Sequence, residues 1–196
     1  LDFFPGIKGV YDVYGCTEAA PCITILGEAD SMRKDLSVGR PLPFLHARLL
    51  DEQGLEVGVG EVGEIVCKGP NVMAGYWGQP EETMTTVVDG WLHTGDLATR
   101  DEEGFFYIVD RKKDMIVSGG ENIYPREVEE VLFSHPAVAD AAVVGMPDDL
   151  WGESVRAFVE LQPGQQLSEA EVIDFCKERL ASYKKPRRVD FVEAIP

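Results

Sequence analysis

Val109-Asp110-Arg111-Lys112-Lys113-Asp114-Met115-Ile116-Val117-Ser118-Gly119-Gly120-Glu121-Asn122-Ile123-Tyr124-Pro125-Arg126-Glu127-Val128-Glu129 is the stretch across which the hydrophobic pattern of this 196-residue chain changes. Upstream of it, residues 45–50, 64–68 and 105–109 are short runs rich in β-branched and aromatic side chains, the composition a pleated surface favours. Turn signals separate them, Asp51-Glu52-Gln53-Gly54 and Asp101-Glu102-Glu103-Gly104. Downstream, Pro125 suits the first turn of a helix running from Arg126 to Ser134, with Val128, Val131 and Leu132 on one face at i, i+3, i+4 spacing. Residues 139–144 and 155–161 read as strands, and Ser168-Glu169-Ala170-Glu171 is a capping-box signature opening a second helix that carries Val172, Ile173, Cys176 and Leu180. The fold class expected is α+β, a mixed α/β chain in two domains: a β-rich, barrel-like unit over residues 1–111 and a small α+β domain over residues 112–196.

Composition narrows the function. Apolar residues make up 44% and charged residues 27%, as in an ordinary globular protein. No apolar run approaches the roughly 18 residues that span a bilayer, and Leu1-Asp2-Phe3-Phe4-Pro5 lacks the basic start of a signal peptide and reads as a cut inside a longer protein. Four scattered cysteines, Cys16, Cys22, Cys67 and Cys176, with no CxxC pair, favour free thiols in a reducing cytoplasm. His46, His93 and His135 are too dispersed for a zinc site and read as structural or surface residues. A net charge of −17 repels a phosphate backbone and argues against nucleic acid. Against that background stand two basic islands, Arg111-Lys112-Lys113 and Lys184-Lys185-Pro186-Arg187-Arg188: either solvated turns or local sites for a polyphosphate.

Three segments carry more special residues than packing needs. In Val13-Tyr14-Gly15-Cys16-Thr17-Glu18, a glycine lets a ligand approach the backbone, a Thr hydroxyl can bond a phosphoryl oxygen, and a neighbouring Glu can hold Mg²⁺; the same residues also suit a helix start. In Trp91-Leu92-His93-Thr94-Gly95-Asp96, the carboxylate suits a pair of ribose hydroxyls, or equally a hairpin turn capped by Asp. The third is the junction itself, where Gly119-Gly120 is not a P-loop because no Gly-Lys-Ser/Thr follows.

In this order and spacing the segments resemble the adenylate-forming superfamily, which includes acyl-CoA synthetases and nonribosomal peptide adenylation domains. Two further stretches share in the resemblance: residues 63–77, with Gly69-Pro70-Asn71-Val72-Met73-Ala74-Gly75-Tyr76-Trp77, and Leu180-Ala181-Ser182-Tyr183-Lys184-Lys185-Pro186. It covers nearly the whole chain. Residues 116–125 look closest to fatty-acid, aryl and 4-chlorobenzoate-type acid–CoA ligases. The resemblance implies an AMP-forming acid–thiol ligase that uses ATP, Mg²⁺ and CoA: a carboxylate attacks the α-phosphate to give an acyl-adenylate and pyrophosphate, then the CoA thiol displaces AMP.

Carried over by resemblance, Tyr14 lies against adenine, Gly15 lines the acyl pocket, Thr17 bonds the phosphate and Glu18 holds Mg²⁺. Asp96 takes the ribose hydroxyls together with Arg111. Lys113 is the hinge about which the C-terminal domain swings between half-reactions. Gly119 and Gly120 open a tunnel for pantetheine, and Trp151, Tyr183 and Lys185 hold the nucleotide end of CoA, although Trp151 also suits a core or corner position. Two departures accompany the likeness: the family's glycine-rich phosphate loop is absent, and residues 193–196 end just before its Ser-Gly-Lys segment, so a chain of these residues alone is expected not to make adenylate. An adenylation domain that loads a carrier protein and a non-catalytic nucleotide-binding module are the alternatives. The acid, fatty or aromatic, is not legible.

Overall fold

A computed structural model describes residues 10–195, so the chain start read above at Leu1–Pro5 lies outside the described residues. The chain divides into two compact units, Leu1–Val109 and Asp110–Pro196.

In the first unit β1 (Asp12–Tyr14), β2 (Thr24–Leu26) and β3 (Arg40–Pro41) form a three-stranded antiparallel sheet, with a 3-10 turn at Thr17–Ala19 and a short helix α1 (Glu28–Ser31) in its connections. A second sheet takes β4 (His46–Leu50), β5 (Gly63–Lys68) and β7 (Trp91–Arg100) in that order, while β6 (Val87–Val88) and β8 (Phe106–Arg111) both pair with β7; α2 (Pro80–Thr86) precedes β6. An isolated antiparallel bridge between Gly39, just before β3, and Phe106 of β8 joins the two strand paths at one edge. Their apolar faces meet in two clusters, one around Ile23, Leu45, Cys67 and Leu92, the other around Leu49, Ile65, Ala98 and Phe106. Tyr14 packs against both, which anchors the end of β1 where a candidate residue sits.

The second unit is built on a five-stranded sheet. β9 (Ile116–Ser118) and β10 (Glu121–Ile123) form a hairpin, β11 (Val138–Asp148) and β12 (Gly152–Leu161) form a long antiparallel pair, and β13 (Arg188–Val192) runs parallel to β12. Helices α3 (Pro125–Phe133) and α4 (Glu169–Lys177) cover it. Pro125 opens α3 as the sequence suggested, and Val128 and Leu132 are fully buried. The capping box on α4 forms, with the Ser168 hydroxyl accepting from the Glu171 N–H and the Glu171 carboxylate accepting from the Ser168 N–H. The β9–β10 hairpin was not anticipated; its turn is Gly119-Gly120, with φ of +63° and +85°. Positive φ at both central residues is what a two-residue hairpin turn of matching twist demands, and glycine supplies it without strain.

Asp110 ties this unit together at its start. The N-cap of α3, Tyr124, makes no side-chain cap bond; Asp110 Oδ2 instead accepts the Arg126 N–H at 3.0 Å while Oδ1 accepts the Arg111 N–H at 2.7 Å. A carboxylate at a helix N-terminus meets unpaired donors and the positive end of the dipole. Lys113 lies exposed in the turn between β8 and β9, closed by the Asp114 N–H donating to the Arg111 carbonyl at 3.1 Å.

Candidate functional site

Asp96 owes its position to an irregularity in β7. Glu64 pairs with Leu97 and Val66 with His93, so two residues of advance on β5 match four on β7. The extra residues form a bulge at Thr94-Gly95-Asp96, with Gly95 at φ +74°, and a bulge re-aims side chains. Asp96 therefore sits inside a ten-residue strand, not at the hairpin turn that was one reading of the sequence. The bulge's own polar groups are satisfied locally. Thr94 Oγ1 donates to the Ile65 carbonyl at 2.8 Å and accepts the Asp96 N–H at 3.1 Å, while Glu64 Oε1 accepts the Gly95 N–H at 3.2 Å. Glu64 is only 7% exposed, and its other oxygen lies 3.2 Å from His93 Nδ1. Its burial is thus explained by the donors the bulge leaves over.

The re-aimed Asp96 meets Tyr14. The Tyr14 hydroxyl donates to Asp96 Oδ2 at 2.7 Å. Burial, reinforced by the Asp96 charge, pushes the Tyr14 phenol well above its ordinary value, so it stays a proton donor at all working pH. Two residues assigned to one nucleotide by resemblance are thereby joined directly.

Beyond Tyr14 the chain turns through Gly15, where a Cβ would fall 1.8 Å from the Pro21 carbonyl oxygen; the position needs glycine for packing, whatever it lines. The 3-10 turn Thr17–Ala19 follows. Glu18 Oε1 accepts the Tyr76 hydroxyl at 2.7 Å, and that bond, with the backbone N–H of Glu18, holds its carboxyl below the usual range. No group of three or more His, Cys, Asp or Glu side chains converges as a metal cage among the described residues. One carboxylate fits Mg²⁺ nonetheless, because that ion is usually held by one or two carboxylates together with substrate phosphates and water.

In the second unit Gly119 and Trp151 are in contact. The Gly119 N–H donates to the Trp151 carbonyl at 2.9 Å, and a Cβ on Gly119 would lie 2.7 Å from Trp151 Cε3. Trp151 is 40% exposed, and the Arg187 guanidinium lies 4.9 Å from its ring centroid. Gly120 has open space where a side chain would go. Of the basic island, Lys184 is committed to both oxygens of Glu127, at 2.6 and 2.7 Å, with its ammonium 5.8 Å from the half-exposed Tyr183 ring. Arg188 reaches Asp190 at 3.5 Å. Lys185 is half-buried in the same turn. Sequence reasoning missed Tyr76, Glu127, Arg187 and the cap made by Asp110. Tyr76 stood in a quoted motif without a role; nothing local in the sequence pairs Glu127 with Lys184.

Comparison with known proteins fits this geometry. The profile described as AMP-binding enzyme matches residues 1–77, and that described as AMP-binding enzyme C-terminal domain matches residues 127–196. The chain belongs to the AMP-binding, adenylate-forming enzyme family. It is 49% identical over 183 residues to a feruloyl-CoA synthase of Amycolatopsis sp, covering 93% of this chain and 37% of that one. It is 49% identical over 187 residues to a 2-succinylbenzoate–CoA ligase of Bacillus cereus (95% and 38%), and 50% identical over 191 residues to the medium/long-chain-fatty-acid–CoA ligase FadD8 of Mycobacterium tuberculosis (93% and 34%). Among solved structures, the o-succinylbenzoate CoA synthetase of Bacillus subtilis in complex with the acyl-adenylate intermediate matches with a TM-score of 0.86 at 43% identity, covering 96% of this chain and 38% of that one. The same enzyme in complex with ATP and magnesium ion gives 0.84 at 43%, with the same coverage. The chain spans little more than a third of the length of these relatives. The mixed α/β architecture of this family, with sheets and few helices, is that of the two units. Among the described residues no helix is long and apolar enough to cross a membrane.

Proposed function

We propose that the chain is part of an AMP-forming acid–CoA ligase, which activates a carboxylic acid with ATP and transfers the acyl group from AMP to the thiol of CoA. The observation that carries this reading is the Tyr14–Asp96 pair on the re-aimed bulge of β7, in a chain whose relatives at 49–50% identity are named as CoA synthases and ligases. Asp96, with its Oδ2 held by Tyr14, presents its carboxylate to the ribose hydroxyls, and the Tyr14 ring offers an apolar face to adenine. Thr17 donates to a phosphoryl oxygen, and Glu18 holds the Mg²⁺ that neutralises phosphate charge. Arg111 joins the ribose contact, since its guanidinium fork binds two oxygens at once.

In the second half-reaction the residues in play are those around Gly119 and Trp151. The adenylate is a mixed anhydride with a good leaving group, so thiol attack needs mainly positioning. Lys113 is the pivot that brings Gly119-Gly120 to the adenylate, a few backbone dihedrals absorbing the rotation. Trp151, Tyr183 and Lys185 receive the nucleotide end of CoA, through aromatic faces and one ammonium. The acid is fatty or aromatic, the classes acted on by the named relatives, and the reaction belongs to the cytoplasm.

The full-length protein should form AMP, pyrophosphate and an acyl-CoA from ATP, Mg²⁺, CoA and at least one member of a panel of aryl and fatty acids. Release of AMP only with a carrier protein bearing a free thiol in place of CoA would transfer the assignment to a carrier-loading adenylation domain. Nucleotide binding with no acid-dependent pyrophosphate release would leave a non-catalytic module.

A further inference from the structure

Residues 69–77, part of the family resemblance but given no role by it, wrap the short turn that carries Thr17 and Glu18. Asn71 Nδ2 donates to the Ala19 carbonyl at 2.7 Å and to the Cys22 carbonyl at 3.0 Å. The Met73 N–H donates to the Glu18 carbonyl at 2.8 Å. These bonds hold the backbone at Glu18 and just after it, and the Tyr76 hydroxyl, on Oε1 at 2.7 Å, then fixes the direction of its carboxylate. Tyr76 is itself held, since its N–H donates to Thr83 Oγ1 at 2.8 Å and that hydroxyl donates to the Gln79 carbonyl at 2.8 Å. Gly75 makes the approach feasible. It sits at φ +145°, and a Cβ there would lie 2.6 Å from Thr83 Cγ2.

An unrestrained glutamate samples many rotamers, and ordering it when ligand arrives costs affinity. A hydroxyl bound to one carboxylate oxygen removes much of that freedom in advance, while a carboxylate's roughly four lone-pair sites leave acceptor capacity for the ligand. We infer that Tyr76 is a positioning residue, holding the Glu18 carboxylate in the orientation in which it meets the magnesium–nucleotide complex. The inference rests on the role proposed above for Glu18.

Titration calorimetry of ATP on the full-length ligase, with Mg²⁺ and in excess chelator, tests it on wild type, Tyr76→Phe, Glu18→Gln and the double variant. Removing one hydrogen bond to a charged group corresponds to about tenfold in affinity. Tyr76→Phe should therefore reduce the Mg²⁺-dependent gain in ATP affinity about tenfold, leave affinity in chelator unchanged, and add nothing in the double variant. An equal fall with and without Mg²⁺, or additive losses, would make Tyr76 a purely structural residue and overturn the inference. Should Glu18→Gln itself spare the Mg²⁺ gain, the assignment of Glu18 fails and that of Tyr76 falls with it. A strong Glu18→Gln effect beside a silent Tyr76→Phe would reject Tyr76 alone. Thr83→Val loosens the backbone support of Tyr76 without touching Glu18 and should give the same Mg²⁺-specific defect in smaller measure, so the question stays decidable if Tyr76→Phe does not fold.

Discussion

The Tyr14 hydroxyl donates to Asp96 Oδ2 at 2.7 Å, joining the end of β1 to a bulge of β7 that lies 82 positions further along the chain. The bond restrains the orientation of the Asp96 carboxylate. Tyr14→Phe keeps the aromatic face and removes the hydroxyl that holds Asp96, so it should raise the KM for ATP by about tenfold, the scale of one charge-assisted bond. It should also narrow the preference for ATP over 2′-deoxy-ATP, because a loosened Asp96 reads the ribose less strictly. Kinetics with both nucleotides decide it; an unchanged ratio would remove Asp96 from the ribose.

A second bond bears on the proposed pivot. Asp110 precedes Lys113 and Arg126 follows it, so the Asp110 Oδ2 bond to the Arg126 N–H bridges the turn, and a rotation about Lys113 strains or breaks it. Lys113→Pro, which freezes φ at the third residue of that turn, should slow one half-reaction at least tenfold and leave the other near wild type. Asp110→Ala removes the bridge and one helix cap, at about 1 kcal/mol of stability, and should shift the ratio of the two half-reactions without abolishing either. Single-turnover measurements of adenylate formation and of acyl transfer check both variants, and equal losses in the two steps would reject the pivot.

Local signals in the sequence account for much of the architecture. Pro125 and the Ser168/Glu171 box mark the starts of α3 and α4, since capping chemistry is carried by adjacent residues. The β9–β10 hairpin escaped notice because Gly119-Gly120 drew attention as a ligand contact, although a glycine pair between Val117 and Ile123 is also a hairpin turn. The bulge at Thr94–Asp96 was not legible: it depends on a register with β5, a strand whose nearest residue lies over twenty positions away. For the same reason Tyr76 could not be paired with Glu18, 58 positions apart. Residue types suited to the chemistry could be read; partners distant in sequence could not.

The Gly119–Trp151 contact separates two kinds of glycine cost. Gly120→Ala meets open space, so its penalty is the backbone strain of φ +85°, about 1–2 kcal/mol. Gly119→Ala adds a methyl 2.7 Å from Trp151 Cε3 on top of a comparable strain. It should displace the indole, seen as a shift in Trp151 fluorescence in a Trp77→Phe, Trp91→Phe background, and slow acyl transfer to CoA about tenfold more than Gly120→Ala does. Adenylate formation should be spared by both. Equal effects of the two alanines on acyl transfer would show that the Trp151 face takes no part in receiving CoA.

Glu129 gives the second unit a pH dependence of its own. Its Oε1 accepts the Val143 N–H at 2.8 Å, and it lines a concavity of about 420 Å³ together with Asp110, Lys113, Asp114 and Glu153. Burial raises its pKa above the ordinary 4.5, and the charges of Asp110 and Asp140 push the same way, against the Val143 N–H and Arg126. An acid whose pKa is raised by folding holds its proton more tightly in the native state, so the stability it contributes is complete below about 4.5 and is lost as the pH rises through the folded value. Asp101 runs the other way. Burial alone would raise it, but Lys34, the Phe105 N–H and the Tyr107 hydroxyl together bring it to about 2, so its contribution is present above 3.8 and lost as the pH falls toward 2. The total pH profile mixes such opposing groups, and the difference between wild type and Glu129→Gln isolates one of them. Glutamine keeps an acceptor for Val143 and cannot ionise. Urea denaturation from pH 4 to 8 should therefore show Glu129→Gln gaining on wild type as the pH rises and exceeding it at pH 7, whereas parallel profiles would mean that the Glu129 carboxylate is as well solvated folded as unfolded.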